Sequence, residues 1–224
     1  MDKISLLCRG KSLDSIDLLP KVDDCVLVNS FHNELQIDKI SNYVKNCSNI
    51  THVWSLGCLG EGRQMISMSI HEKYNIKKIV LPYIKECCPS VPSHVFSIKG
   101  KDDYVPVTIM SDENKRDMMT TDRYKFTSPT AGMDALLYCV NDLQKKEINI
   151  IGMDFYDGVG YLTNSHGFTK VNDEEAIRRG EDTEMMKSFF INFVKKHEDV
   201  TFNIFTKSNF KTDIKNLNIN FLED

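Results

Sequence analysis

Four short stretches of this chain carry residue types that can handle an anion or a proton. Arg9-Gly10-Lys11-Ser12-Leu13 follows an apolar run and opens a helix-like segment. A glycine there lets the backbone approach a ligand, and free N–H groups at a helix start attract phosphate. A strand–glycine–helix turn is as often a plain connection, and neither GxGxxG nor GxxxxGKS is present. Thr130-Ala131-Gly132, preceded by Ser128-Pro129, stands before a helical pattern. Hydroxyls and a glycine at a helix N-terminus make an anion cradle, or simply an N-cap. Gly152-Met153-Asp154-Phe155-Tyr156 ends an apolar run. Ligands of open α/β sheets lie beyond the carboxyl ends of strands. There Asp154 and Tyr156 can bind a ribose, a sugar or a leaving group, or merely cap and pack a turn. Glu181-Asp182-Thr183-Glu184 reads as the capped, acidic first turn of a helix, or as the seat of a carboxylate general base.

The remaining polar candidates are weaker. Asp23-Asp24 and Asp102-Asp103 read as solvated turns, and the six histidines lack metal-ligand spacing. His166, inside a long glycine-containing stretch, is the one histidine placed where it could serve a site.

The elements that must position these residues alternate. Apolar runs at Ile4–Cys8, Cys25–Val28, His52–Leu56, Ile79–Leu81, Val95–Ile98, Val107–Met110, Ile148–Ile151 and Phe202–Phe205 are continuous rather than alternating. That pattern predicts strands covered on both faces. Helical periodicity predicts helices over Leu35–Val44, Gln64–Tyr74, Ala131–Leu143 and Glu184–His197. The order predicts an α/β fold on a parallel sheet with right-handed crossovers. The stretch from Tyr156 to Gly180 is too long for an ordinary connection and reads as a functional lid around residues 156–182, or as disorder. Residues 83–110 hold several prolines and an adjacent cysteine pair but no recognisable motif.

Composition bounds the function. With 224 residues, 41% hydrophobic and 27% charged, the chain suits one domain spanning 1–224. A net charge of −4 disfavours general nucleic-acid binding. No apolar run is long enough for a membrane span, and Ile4 to Cys8 is too short for a signal-peptide core, so a cytoplasmic protein is expected. Seven cysteines without a CxxC pair fit free thiols in a reducing compartment and disfavour a zinc site.

In order and spacing, these segments resemble the small bacterial sialyltransferases of glycosyltransferase family 42, with a fainter similarity to animal sialyltransferase motifs. The family opens with a strand and a Gly-Asn-Gly-Pro-Ser-Leu turn; here it is Cys8-Arg9-Gly10-Lys11-Ser12-Leu13. A second strand ends in an asparagine before an aromatic segment, as in Val28-Asn29-Ser30-Phe31-His32. The family's Thr-Ser-Gly helix start corresponds to Thr130-Ala131-Gly132, and its Gly-Ile-Asp-Phe-Tyr to Gly152 through Tyr156, with Tyr161 in place of a second tyrosine. The resemblance departs at the first-turn asparagine, which is Arg9, at the asparagine after the third strand, replaced around Ser55 to Gly57, and at the base histidine, where Glu181-Asp182-Thr183-Glu184 stands.

The resemblance implies a single Rossmann-like, GT-A-like domain that uses a CMP-sugar donor. Its partners would be a CMP-activated sialic-acid-type sugar and a glycan or glycolipid hydroxyl, with inversion, no metal and no other cofactor. Relatives form oligomers, so a homo-oligomer is expected. Substrate and nucleotide would be bound by Arg9, Gly10, Ser12, Asn29, Ser30, Thr130, Ala131, Gly132 and Asp154, with cytidine near Asn29, Thr130 and Gly132. Tyr156 and Tyr161 would hydrogen-bond the departing phosphate, and Arg9 would add a donor to phosphate or to a carboxylated sugar. The base would be Glu181, Asp182 or His166; otherwise the chain hydrolyses the donor, or only binds it as a silent scaffold.

Overall fold

The apolar runs at Ile4–Cys8, Cys25–Val28 and Ile148–Ile151 form strands covered on both faces. The computed structural model describes residues 2–29, 31–53, 71, 73–81, 107–109, 130–157, 161–163 and 183–223. Its strands are β1 (Lys3–Leu7), β2 (Asp24–Val28), β3 (Asn49–Val53), β4 (Ile76–Leu81), β5 (Val107–Ile109), β6 (Glu147–Ile151), β7 (Thr201–Thr206) and β8 (Leu217–Phe221). They make one eight-stranded sheet in the order β5-β4-β3-β2-β1-β6-β7-β8. Every neighbouring pair is parallel. The chain therefore starts mid-sheet, walks out to β5, returns beside β1 as β6 and walks out again to β8. This is a doubly wound, Rossmann-like α/β fold, and its order reverses between β1 and β6.

Alternation along each strand feeds two cores. Ile4, Leu6, Val26, Val28, Ile148, Ile150, Phe202 and Ile204 face one side, covered by α2 (Ala131–Leu137) and α3 (Thr183–Lys196). Leu7, Cys25, Leu27, Ile50 and Ile151 face the other, covered by a 3-10 helix (Lys11–Leu18) and α1 (Asp38–Lys45). The stripe Met186, Phe189, Phe190, Phe193 and Val194 of α3 is buried as its periodicity predicts. Phe190 is fully buried, and truncating such a residue costs about 3–5 kcal/mol. Lys195 and Lys196 close α3 where its dipole favours cations.

Several elements differ from expectation. β3 begins at Asn49 and is described to Val53, so it starts three residues before the predicted run. The helix expected over Leu35–Val44 is a 3-10 turn (Glu34–Gln36) and α1, divided by the extended Ile37 at φ −84°. The helix expected over Ala131–Leu143 is α2 followed by a π-helical turn (Tyr138–Asp142). β8 has no counterpart among the predicted strands. Asp24 is no solvated turn residue: it opens β2, ion-pairs with Lys145 and accepts a hydrogen bond from Asn49 Nδ2 at 2.8 Å. The expected strand Val95–Ile98, Asp102-Asp103, residues 64–70 of the expected second helix and most of the 156–182 stretch lie outside the described residues. Among the described residues no helix is long and apolar enough to cross a membrane.

Candidate functional site

The turns that leave β1 and β6 meet at the reversal of strand order. Cys8 N–H donates to Ile151 O at 2.8 Å and Gly10 N–H to Gly152 O at 2.7 Å. Gly152 has φ +77°, and a Cβ on it would stand 2.3 Å from Cys8 O. A Cβ on Gly10 would stand 2.4 Å from Asp154 Oδ2. Only glycine allows the two backbones this close. Ser12 ties them further: its Oγ accepts from Gly152 N–H at 2.9 Å, and its own N–H donates to Asp154 Oδ2 at 2.9 Å. Asp154 Oδ1 accepts from Thr206 Oγ1 and from Lys207 N–H, each at 3.0 Å. The Asp154 carboxylate is buried and joins the ends of β1, β6 and β7.

Beyond Asp154 the backbone is strained. Phe155 and Tyr156 are consecutive non-glycine residues in the left-handed region, at φ 51° and 58°. Each costs about 1–2 kcal/mol, so the surroundings must impose the conformation. Thr183 Oγ1, at the start of α3, donates to Phe155 O at 2.9 Å, and Asp157 N–H donates to Asp154 O at 2.9 Å. Asp157 Oδ2 receives Lys187 Nζ and Ser208 Oγ, both at 2.8 Å. Burial opposes the charge on Asp157, but these bonds outweigh it and hold the carboxyl below its ordinary range. Lys187 is raised for the matching reason, its bonds to Asp157 and Glu184 outweighing desolvation. The clamped turn presents a half-buried Tyr156. Its hydroxyl lies 2.9 Å from that of Tyr161, with the rings edge-on at 82°.

Tyr161 arrives on a short strap, residues 161–163. It forms an antiparallel bridge with Gly10, and Leu162 N–H donates to Arg9 O at 2.8 Å. Arg9, expected to reach a ligand, is buried beneath this strap. Its Nε donates to Glu34 Oε1 at 2.9 Å, and its guanidinium carbon lies 4.9 Å from the Tyr161 ring centroid. Thr163 Oγ1 donates to the same Glu34 oxygen at 2.7 Å. Nearby His32 is held below the usual imidazole range by burial and then by the Arg9 charge, with Glu34 opposing.

Asn29 ends β2 at φ 51°, its N–H bonded to Val53 O at 2.8 Å. Its carbonyl accepts from Phe31 N–H and is met by His52 Nε2. A carbonyl can only accept, so His52 carries its proton on Nε2. Its bare Nδ1 then accepts from His71 Nε2–H at 3.1 Å. Burial, followed by the neighbouring His71, pushes His52 down to about 3; burial pushes His71 down to about 4. Thr130 is the N-cap of α2, accepting from Met133 N–H at 3.3 Å, and Ala131 and Gly132 are buried behind it. Gly132 faces Cys8, whose thiol is pushed far up by burial and then by the Asp154 charge and is no nucleophile.

The structure thus gathers Arg9, Gly10, Ser12, Asp154, Tyr156 and Tyr161 at one switch point. Asn29 stands at the end of adjacent β2, and Thr130, Ala131 and Gly132 at the start of α2, whose Gly132 abuts Cys8. Ser30, His166, Glu181 and Asp182 lie outside the described residues. Glu34, Asp157, Lys187, Thr206 and the His52–His71 pair were missed. A Glu two residues after Phe31-His32, past a strand end, gives no sign of burial, and the histidines meet only through folding.

No protein-family model matches the chain, and no curated protein does. Among solved structures it is similar to a tyrosine-to-phenylalanine variant of the sialyltransferase CST-II in complex with CMP. The similarity covers 96% of this chain and 93% of that one at 15% identity, with a TM-score of 0.61. At that identity the likeness establishes a shared fold across nearly the whole of both chains.

Proposed function

We propose that this chain is a sialyltransferase-like glycosyltransferase that moves a sialic-acid-type sugar from a CMP donor to a glycan or glycolipid hydroxyl. The observation that carries the reading is the tyrosine pair. Two phenol hydroxyls stand 2.9 Å apart at the β1/β6 switch point, where doubly wound sheets bind their ligands. The CMP-bound sialyltransferase with the same fold supports it. The donor's phosphate would sit against both hydroxyls, each then donating to it as the glycosidic C–O bond breaks and charge builds on the phosphate. Donors aimed at developing charge commonly supply about 10²- to 10³-fold each. They would do this without a metal ion. The acceptor hydroxyl attacks the opposite face of the sugar, which inverts the anomeric centre. Its proton goes to a base, for which Glu181, Asp182 and His166 are the candidates. Asn29, Thr130 and Gly132 would lie along the cytidine.

The test is thermal unfolding with CMP, UMP, GMP and AMP, with and without magnesium, followed by CMP release from a CMP-sugar. CMP at about a hundred times its Kd should stabilise by about 2.7 kcal/mol, and the other nucleotides should not. Tyr156→Phe should slow CMP release about 100-fold or more while keeping most of the CMP affinity. Release accelerated by an acceptor marks a transferase, and release indifferent to it a donor hydrolase. Binding without release marks a silent nucleotide-binding protein. Absence of any CMP shift overturns the reading.

A further inference from the structure

Three consecutive residues of the strap are each tied to the same place. Tyr161 bridges Gly10 and packs against the Arg9 guanidinium, Leu162 N–H donates to Arg9 O, and Thr163 Oγ1 donates to Glu34. One carboxylate oxygen, Glu34 Oε1, takes a donor from the β1 turn and another from the strap, at 2.9 and 2.7 Å. The Arg9 side chain is 3% exposed and that of Glu34 0%. Removing one partner of so buried a pair leaves the other charge uncompensated. A guanidinium with a carboxylate against it is also a poor lure for phosphate, because the field that would attract the anion is already neutralised.

We propose that Arg9 and Glu34 are a positioning pair: they lock the 161–163 strap onto the β1 turn and thereby hold the Tyr161 hydroxyl against that of Tyr156. The pair acts through Tyr161 and makes no contact with the donor phosphate. This rests on the reading of the two tyrosines as leaving-group donors. Misplacing a reacting or stabilising group by about 1 Å costs on the order of 100-fold in rate. The pair's effect should therefore fall on turnover rather than on donor binding.

The experiment uses the full chain and the variants Arg9→Met, Glu34→Gln, Tyr161→Phe and Arg9→Met/Tyr161→Phe. CMP affinity is read by calorimetry, CMP release from a CMP-sugar by single-turnover kinetics, and amide protection by hydrogen exchange. Arg9→Met and Glu34→Gln should lower the release rate about 10- to 100-fold. Their CMP Kd should stay within about threefold. Arg9→Met should add nothing in the Tyr161→Phe background, since residues that act as a unit are non-additive. The Leu162 amide should lose protection while β6 amides keep theirs. A release rate retained with a tenfold weaker CMP Kd would make Arg9 a ligand contact and overturn the proposal. So would losses that simply multiply between Arg9→Met and Tyr161→Phe. If the single variants do not fold, Thr163→Val removes only the strap's hydroxyl and should give the same loss of Leu162 protection and a smaller fall in rate. If the wild type ignores CMP, the sialyltransferase reading fails separately. The exchange arm still decides the lock, which unchanged Leu162 protection in Arg9→Met or Thr163→Val overturns.

Discussion

Asp154 commits both carboxylate oxygens to the protein: Ser12 N–H on one, Thr206 Oγ1 and Lys207 N–H on the other. Asp154→Asn turns one of those acceptors into a donor facing a donor. It should cost about 2–4 kcal/mol, seen as a lower urea midpoint, because a buried N–H is left without its acceptor. If Asp154 served instead as a substrate contact, the same variant would keep its stability and raise KM. The neighbouring Tyr156 has the opposite character, with a strained backbone and a half-buried side chain whose hydroxyl meets another hydroxyl. The string Gly152-Met153-Asp154-Phe155-Tyr156 was legible as a candidate site, since it ends an apolar strand. Which residue anchors and which is presented was not. That depends on φ values of 51° and 58° at non-glycine residues and on a partner 52 positions away in β7.

Helix α3 supplies Thr183 and Lys187 to the strained turn, so whatever fixes α3 also fixes Tyr156. Its far end is closed by Asn216, whose Nδ2 donates to Val194 O at 3.1 Å and to His197 O and Val200 O at 2.9 Å. Asn216→Ala deprives these carbonyls of that donor. It should lower stability by about 1–2 kcal/mol without altering the dependence on denaturant concentration, an effect urea titration resolves. An unchanged midpoint would make the tie dispensable. Asn216 immediately precedes β8, the strand that periodicity did not reveal. Leu217-Asn218-Ile219-Asn220-Phe221 alternates, but asparagine is depleted in strands, which weakens the signal. Its strand character comes from a cross-strand row: Asn218 Nδ2 donates to Asn203 Oδ1 at 2.7 Å, and Asn203 Nδ2 to Asn149 Oδ1 at 2.9 Å. Such a row exists only once β6, β7 and β8 are in register. The early start of β3 has a similar cause, since Asn49 and Thr51 look polar until β2 and β4 flank them. By contrast, the α3 stripe and the β1, β2, β6 and β7 runs were legible, because burial on both faces of a parallel sheet demands uninterrupted apolar residues.

The doubly wound order has a consequence for the stability of the whole chain. It brings His52 and His71 together in the interior, both buried, with rings edge-on and 5.4 Å apart. His52 donates to the Asn29 carbonyl and accepts from His71, so a further proton on its Nδ1 would point at a donor. Both folded-state values lie below the unfolded value of about 6.5, near 3 for His52 and 4 for His71. The unfolded chain therefore binds protons that the folded chain refuses. The stability this pair contributes is complete above about pH 6.5 and is lost as pH falls towards 4. Between about pH 5.5 and 4.5 this pair's difference is about two protons, which lowers unfolding free energy by about 2.7 kcal/mol per pH unit. His32, also held below its ordinary range, adds to the fall in the same direction. The carboxylates act lower. Burial opposes the charges on Asp24 and Asp157, but Lys145 with Asn49, and Lys187 with Ser208, outweigh it and hold both carboxyls below the ordinary range. Both lose their contribution only below about pH 4, the ordinary Asp value. Urea unfolding at pH 7, 5.5 and 4.5 reads the histidine window without entering the carboxylate one. His71→Asn keeps a side-chain donor for His52 but removes one titrating ring, and should reduce the slope by about one proton. A wild-type slope near zero across pH 5.5 to 4.5 would mean that the two rings are charged inside the fold, and that the hydrogen-bonded run from His71 through His52 to Asn29 is not what holds the end of β2.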